Sequence, residues 1–192
     1  MLIGLMGKSG SGKSLISMLL KEMDTNIQIV DVDKIGHKSH LDPNVKDKLM
    51  QYFGTEVFNA DGTVNRSKLG NIVFDDSQKM QLLYDATYDY MVGEIDKIIK
   101  AAQITVLDYA LLPLTKYYEL CDIKILVEAS GDVRKVRAVK RDGISLEKYE
   151  ERDKNSLDYS PYTFDYIIQN DSDTSNLRKL VGEIYEKGIV SR

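Results

Sequence analysis

Apolar positions along the chain alternate between short continuous runs and helically spaced sets. Leu2-Ile3-Gly4-Leu5-Met6 is a continuous run and predicts a buried strand. Leu15, Ile16, Met18, Leu19 and Leu20 then take helical spacing. Ile27 to Val30 is a second strand signal, ending at Asp31-Val32-Asp33, and Ile104 to Leu107 a third, ending at Asp108. Ile123 to Val127 is a fourth and Asp165 to Ile168 a short fifth. Between the second and third strands the period is helical: Val45 to Phe53, then Arg66, Leu69, Ile72 and Val73, then Asp76 to Ala101 with a mild interruption at Gly93. Asp42-Pro43 and Asn59-Ala60-Asp61-Gly62-Thr63 read as turns. Asn170 to Ser175 reads as a loop and Leu177 to Tyr185 as a closing amphipathic helix. Strands alternating with helices imply an α/β fold, a doubly wound parallel five-stranded sheet. The middle third is too long for a simple crossover. It predicts a helical insertion of about 41–101, able to cover an acceptor substrate, within a single domain whose core is about 1–40 and 102–192.

The join between the first strand and first helix carries the chemistry. Gly7-Lys8-Ser9-Gly10-Ser11-Gly12-Lys13-Ser14 matches the phosphate-binding loop in full, in the strand–turn–helix context that the motif needs. Gly7 and Gly12 allow positive φ and a close approach to phosphate oxygens. Successive N–H groups from Gly7 through Ser9, Gly10, Ser11 and Gly12 to Leu15, together with the helix N-terminus, form a concave anion site. Lys13 would reach the β- and γ-phosphates of a nucleoside triphosphate, and the Ser14 hydroxyl would ligate Mg²⁺. The loop by itself names no reaction.

Carboxylates at the C-terminal ends of strands in such a sheet point into the crevice where ligands bind. Period-two alternation puts Asp31 and Asp33 on one side if the second strand extends that far. Either could orient Mg²⁺ or take a proton from an acceptor hydroxyl, and Asp33 could equally cap a helix. Asp108 at the end of an apolar strand suits a Mg²⁺-orienting carboxylate or a simple cap. Arg134, Arg137 and Arg141 fall along one helix face, with Lys140 and Arg152 nearby and a turn at Asp142-Gly143. That cluster suits charge stabilisation on a transferring phosphoryl group, or a solvated face paired with Asp132, Glu147 and Glu151. His37 and His40 have no serine, cysteine or metal-ligand spacing around them, so neither is assigned a catalytic role.

Composition narrows the setting. The chain has 192 residues, 43% hydrophobic and 29% charged, enough for a sizeable core. Its formal net charge of −4 gives no bulk attraction to nucleic acid or an anionic membrane, so any anion site must be local. Cys121 is the only cysteine, which rules out an intramolecular disulfide and suits a reducing cytoplasm. The N-terminal apolar run is short and lacks the basic start of a signal peptide. No stretch reaches the roughly eighteen apolar residues of a membrane span.

Several stretches together resemble the dephospho-coenzyme A kinase family of small P-loop kinases, over nearly the whole chain. Ile3-Gly4-Leu5, Gly7 and Gly10 to Ser14 are similar to the family's opening. Asp31-Val32-Asp33 with Ile35 and His37 resembles its acidic motif, whose second aspartate is taken as the base. Phe53-Gly54, Asp61-Gly62, Asn65-Arg66, Leu69 and Val73-Phe74 follow its middle segment. Arg137, Arg141-Asp142-Gly143, Ser145 and Arg152 resemble its lid, here about 134–156. Asp165 to Ile168 with Asn170-Asp171 resembles its adenine-side motif. The resemblance implies a P-loop NTPase fold and transfer of the ATP γ-phosphoryl group to the ribose 3′-hydroxyl of dephospho-coenzyme A. Asp33 would serve as base, with Lys13, Arg137 and Arg141 balancing charge, Asn170 on the nucleotide side, and Ser14, Asp33 and Asp108 around Mg²⁺. The implied partners are these small molecules and neither nucleic acid nor membrane, with the chain a monomer or small homo-oligomer.

Departures from the family pattern gather on the acceptor side, apart from Lys8, which stands in the loop where glycine is usual. Thr87-Tyr88 replaces a His-Pro pair, Ala110 a proline and Leu114 a glutamate, and a glutamine after Arg152 is missing, with Asn155-Ser156 nearby. They leave room for a P-loop kinase of another small acceptor, such as a nucleoside or nucleotide, or for a non-catalytic nucleotide-binding protein.

Overall fold

The computed structural model describes residues 1–73, 76–171 and 174–191. Within them the chain divides into two compact units, Met1–Asp31 with Ile99–Arg192, and Val32–Ile98. Phe74 of the family-like middle segment, and Ser172 and Asp173 of the expected 170–175 loop, lie outside the described residues.

The first unit begins with β1 (Leu2–Met6), buried at every position as a central parallel strand should be. The phosphate-loop stretch follows, then α1 (Lys13–Met23) and β2 (Gln28–Asp31). Helix α1 turns Ile16, Leu19 and Leu20 inward, an i, i+3, i+4 stripe that packs with Ile3, Leu5 and Val106.

The second unit is helical. It contains α2 (Val32–Ser39), α3 (Pro43–Phe53), α4 (Arg66–Val73) and most of α5 (Ser77–Ala101), which runs on through Gly93. The Asp42-Pro43 pair starts a helix rather than making a turn. The Asp42 carboxylate accepts from the N–H groups of Asn44 and Val45 at 2.9 and 3.2 Å, and Pro43 needs no N–H at that position. Asp76 similarly accepts from Gln78 and Lys79 ahead of α5, so the helix begins one residue later than its pattern suggests. The turn at Asn59–Thr63 is present, closed by Asn59 N–H on the Thr63 carbonyl at 2.8 Å. This unit has its own core of Val45, Leu49, Phe53, Val57, Leu69, Val73 and Ala86.

The chain returns to the first unit as β3 (Thr105–Asp108), the short α6 (Tyr117–Leu120), β4 (Ile123–Glu128), α7 (Gly131–Asp142) and α8 (Leu146–Lys154). Last come β5 (Tyr166–Gln169) and α9 (Thr174–Ile184), which runs into a π-helical turn at Tyr185–Val190. The closing helix thus starts three residues before Leu177 and stops short of Tyr185. Among the described residues the five strands pair in parallel in the order β2-β3-β1-β4-β5. That is the doubly wound α/β sheet the apolar pattern predicts. Its core joins Ile3, Leu5, Ile123, Ile125 and Ile168 of the strands to Leu177, Val181 and Ile184 of α9. No helix among the described residues is long and apolar enough to cross a membrane.

One strand boundary changes the chemistry. The strand ends at Asp31, and Val32 begins α2, so Asp33 does not continue a two-residue alternation with Asp31. It sits in the first turn of a helix, where a carboxylate is favoured by the exposed N–H groups.

Candidate active site

From β1 the chain moves across the sheet to β2, and from β3 it moves the other way to β4. The connections leaving β1 and β3 therefore run in opposite directions, the arrangement at which such sheets open a ligand crevice. The Gly7–Ser14 loop leaves β1 there. Register puts Leu5 opposite Asp108 and Asp108 opposite Asp31, so both carboxylates end neighbouring strands on the same edge as the loop.

Within the loop, Gly12 has φ of +98° and accepts at its carbonyl from Leu15 and Ile16 N–H, beginning α1. A Cβ at Gly12 would collide with the Asn170 amide, and one at Gly10, φ +80°, with the backbone carbonyl of Arg134. Both positions therefore require glycine. The Lys8 carbonyl accepts from Ser11 N–H at 3.1 Å, closing the loop's turn. Gly7 N–H donates to the Tyr159 hydroxyl at 3.1 Å.

The Lys13 ammonium donates to the Gly7 carbonyl at 3.0 Å and stands 4.0 Å from an Asp108 carboxylate oxygen. The other Asp108 oxygen accepts from Ser17 Oγ at 3.3 Å. Ser14 is exposed at the second position of α1. Asp108 thus faces two residues of α1, Lys13 and Ser17, from the end of β3. A hydroxyl and a carboxylate at the loop's helix end are hard oxygen donors, the chemistry that Mg²⁺ takes.

The arginines divide. Arg134 is committed to structure: its guanidinium forks onto Asp153 of α8 and reaches the Tyr149 hydroxyl, fastening α7 to α8. Arg137 Nη1 donates to the Asn170 carbonyl at 2.9 Å. Arg141 Nη2 donates to the loop hydroxyl of Ser9 at 3.1 Å, while Asp142 accepts from its Nε and Nη2 at 2.7 and 3.0 Å. The Arg141 guanidinium, with Arg152 at 3.7 Å, holds the Asp142 carboxyl below the usual range. Asn170 is buried just past β5, and its amide donates to the Ser11 carbonyl at 2.7 Å. Its side chain props the loop from behind.

Asp33 lies exposed near the start of α2, in the second unit. In that unit Thr87 is buried, its hydroxyl turned back onto the Leu83 and Tyr84 carbonyls at 3.0 and 3.3 Å, and Tyr88 stacks at a tilt on Tyr84. In the first unit Leu114 is 59% exposed, and the Ala110 carbonyl accepts from Tyr159. Three contributors to the loop's surroundings had been given no role from sequence. Ser17 had a signal, a polar residue between Ile16 and Leu19 on the buried face of α1. Asp142 stands in the turn and in the lid-like Arg141-Asp142-Gly143 stretch, with no role of its own. Tyr159 had none, because its partners lie 152 and 49 residues away.

A family model described as dephospho-CoA kinase matches residues 1–176. The dephospho-CoA kinase of Aquifex aeolicus (strain VF5) is 31% identical over 191 residues, covering 96% of each chain. Among solved structures, TT1252 from Thermus thermophilus superposes with a TM-score of 0.83 at 21% identity, covering 97% of each chain. Dephospho-CoA kinase from Campylobacter jejuni superposes at 0.60 with 18% identity, covering 97% of this chain and 96% of its own. Those two likenesses carry the fold alone. The family match, by contrast, runs unbroken through the phosphate loop, both aspartate-ended strands and the arginine-bearing helix: the chain belongs to the dephospho-CoA kinase family.

Proposed function

We infer that this protein transfers the γ-phosphoryl group of ATP to the ribose 3′-hydroxyl of dephospho-coenzyme A, giving coenzyme A. The observation that carries the reading is a complete phosphate loop, with Lys13 beside Asp108 at the open edge of the sheet, inside a chain matched over residues 1–176 to this kinase family.

The loop N–H groups and the α1 N-terminus bind the β- and γ-phosphates, and Lys13 neutralises charge on the oxygens between them. Asp33, exposed in the first turn of α2, accepts the proton of the attacking hydroxyl. Arg141, already on the loop at Ser9, and Arg137 balance charge on the equatorial phosphoryl oxygens. Gly7 to Leu15 contribute backbone groups to the nucleotide, and Asn170 acts on it by fixing the Ser11 carbonyl. Ser14 and Asp108, with Asp33, are the residues that would hold Mg²⁺, which would supply a counter-charge to the phosphates. The segment 134–156 acts as a lid that excludes water, so that ATP is transferred rather than hydrolysed. Residues 41–101 serve the acceptor. The reaction is placed in the cytoplasm, where Cys121 stays reduced, with the protein a monomer or small homo-oligomer.

The test is ADP production from Mg-ATP with and without dephospho-coenzyme A, with the product weighed by mass spectrometry. Acceptor-dependent turnover with coenzyme A formed is the expected result. ATP binding without transfer to this acceptor would overturn it, and turnover with a nucleoside or nucleotide instead would assign the changes at Thr87, Tyr88, Ala110 and Leu114 to a new acceptor.

A further inference from the structure

Backbone pairing between β1 and β3 runs as far as Tyr109 N–H on the Leu5 carbonyl, at 3.1 Å. Beyond that bond the two segments separate, one becoming the phosphate loop and the other the stretch after Asp108. The Tyr159 hydroxyl bridges them again. Tyr159 Oη accepts from Gly7 N–H at 3.1 Å and donates to the Ala110 carbonyl at 2.7 Å. Gly7 opens the loop, and its carbonyl receives the Lys13 ammonium. Ala110 lies two residues past Asp108, which faces that ammonium at 4.0 Å. The bridge therefore spans the two segments that carry the lysine and the carboxylate.

The ring and the hydroxyl have separable roles. The ring is buried edge-on to Phe164, with 6.1 Å between centroids, and any ring of that size would fill the place. Only the hydroxyl can satisfy a donor on one segment and an acceptor on the other. Burial pushes its pKa up to about 12, so it stays protonated at neutral pH and keeps donating to Ala110.

We propose that Tyr159 is a positioning residue for phosphoryl transfer, its hydroxyl fixing the separation of Lys13 and Asp108 by tying Gly7 to Ala110. The proposal rests on the kinase reading above. It acts on transition-state geometry and leaves acceptor binding unchanged, so its effect belongs in kcat and not in the KM for dephospho-coenzyme A.

The experiment compares wild type, Tyr159→Phe and Tyr159→Leu in the full chain for kcat, both KM values and unfolding temperature. The phenylalanine variant keeps the ring and loses only the hydroxyl. It is expected to lose about tenfold or more in kcat per folded enzyme, with the acceptor KM within about twofold. The leucine variant should match it in kcat while unfolding at a clearly lower temperature. A phenylalanine variant with wild-type kcat, or one whose loss only tracks its folded fraction, would overturn the proposal. Absence of wild-type turnover with dephospho-coenzyme A would instead sink the kinase reading, and the Mg-ATP hydrolysis rates of wild type and Tyr159→Phe then decide on Tyr159 by the same tenfold criterion.

Discussion

Lys13 is already anchored within its own loop, on the Gly7 carbonyl and near Asp108, so its charge is placed with little freedom left to lose. Preorganisation of that kind lets a cation act on the transition state. Lys13→Ala should therefore reduce transfer by more than about a hundredfold in the ADP assay, through kcat as well as ATP binding. Asp33→Asn keeps shape and removes the proton acceptor. It should lower kcat by about 10²–10⁴ while leaving the ATP dissociation constant near wild type, and near-normal turnover would remove Asp33 as the base. The Gly7–Ser14 loop was readable from sequence because its motif is contiguous, whereas the Arg134 and Asn170 contacts that hold Gly10 and Gly12 to glycine are not local. Asp108 was only half readable, because Ser17, which it meets, lies 91 residues away. Tyr159 acts through partners 152 and 49 residues away, which no local pattern encodes.

At the scale of elements, apolar periodicity found the strands and the main helices, and erred where polar residues decide an end. Asp31-Val32-Asp33 reads identically as the last turn of an alternation or the first turn of a helix, and the exposed N–H groups of α2 settle it for the helix. Asp42-Pro43 likewise serves a turn or a helix start, and the two bonds from Asn44 and Val45 decide. Asp42→Ala should cost about 1 kcal/mol of stability, read from urea unfolding, without changing kcat. The α2 region also predicts an acid response. Burial, and then the charges of His37 and Arg66, lower the His40 pKa from 6.5 to about 4. The unfolded chain therefore binds a proton between those values that the folded chain refuses. The stabilising contribution is full above about 6.5 and is lost as pH falls toward 4. His40→Asn should flatten the fall of the urea midpoint between pH 7 and 4.5, and an unchanged slope would count against this role.

The whole molecule consists of a sheet unit built from both ends of the chain and a helical unit between β2 and β3. Sheet architecture was legible from the run-and-spacing pattern, because central parallel strands such as β1 must be apolar throughout. The second compact unit starts at Val32, inside the Asp31-Val32-Asp33 motif at the step from β2 to α2. This division shapes the response to nucleotide. The loop, its Asn170 prop and the Arg137 and Arg141 contacts all belong to the sheet unit. ATP with magnesium at a hundred times its dissociation constant should add about 2.7 kcal/mol to the folded state. For a chain of this size that raises the unfolding temperature by roughly 5–11 °C. Lys13→Ala should abolish most of the rise, because the lysine supplies the charge that the phosphates meet. Hydrogen exchange should place the strongest new protection in residues 7–15. A rise in stability without protection there would mean that ATP binds elsewhere and that the loop is not the nucleotide site.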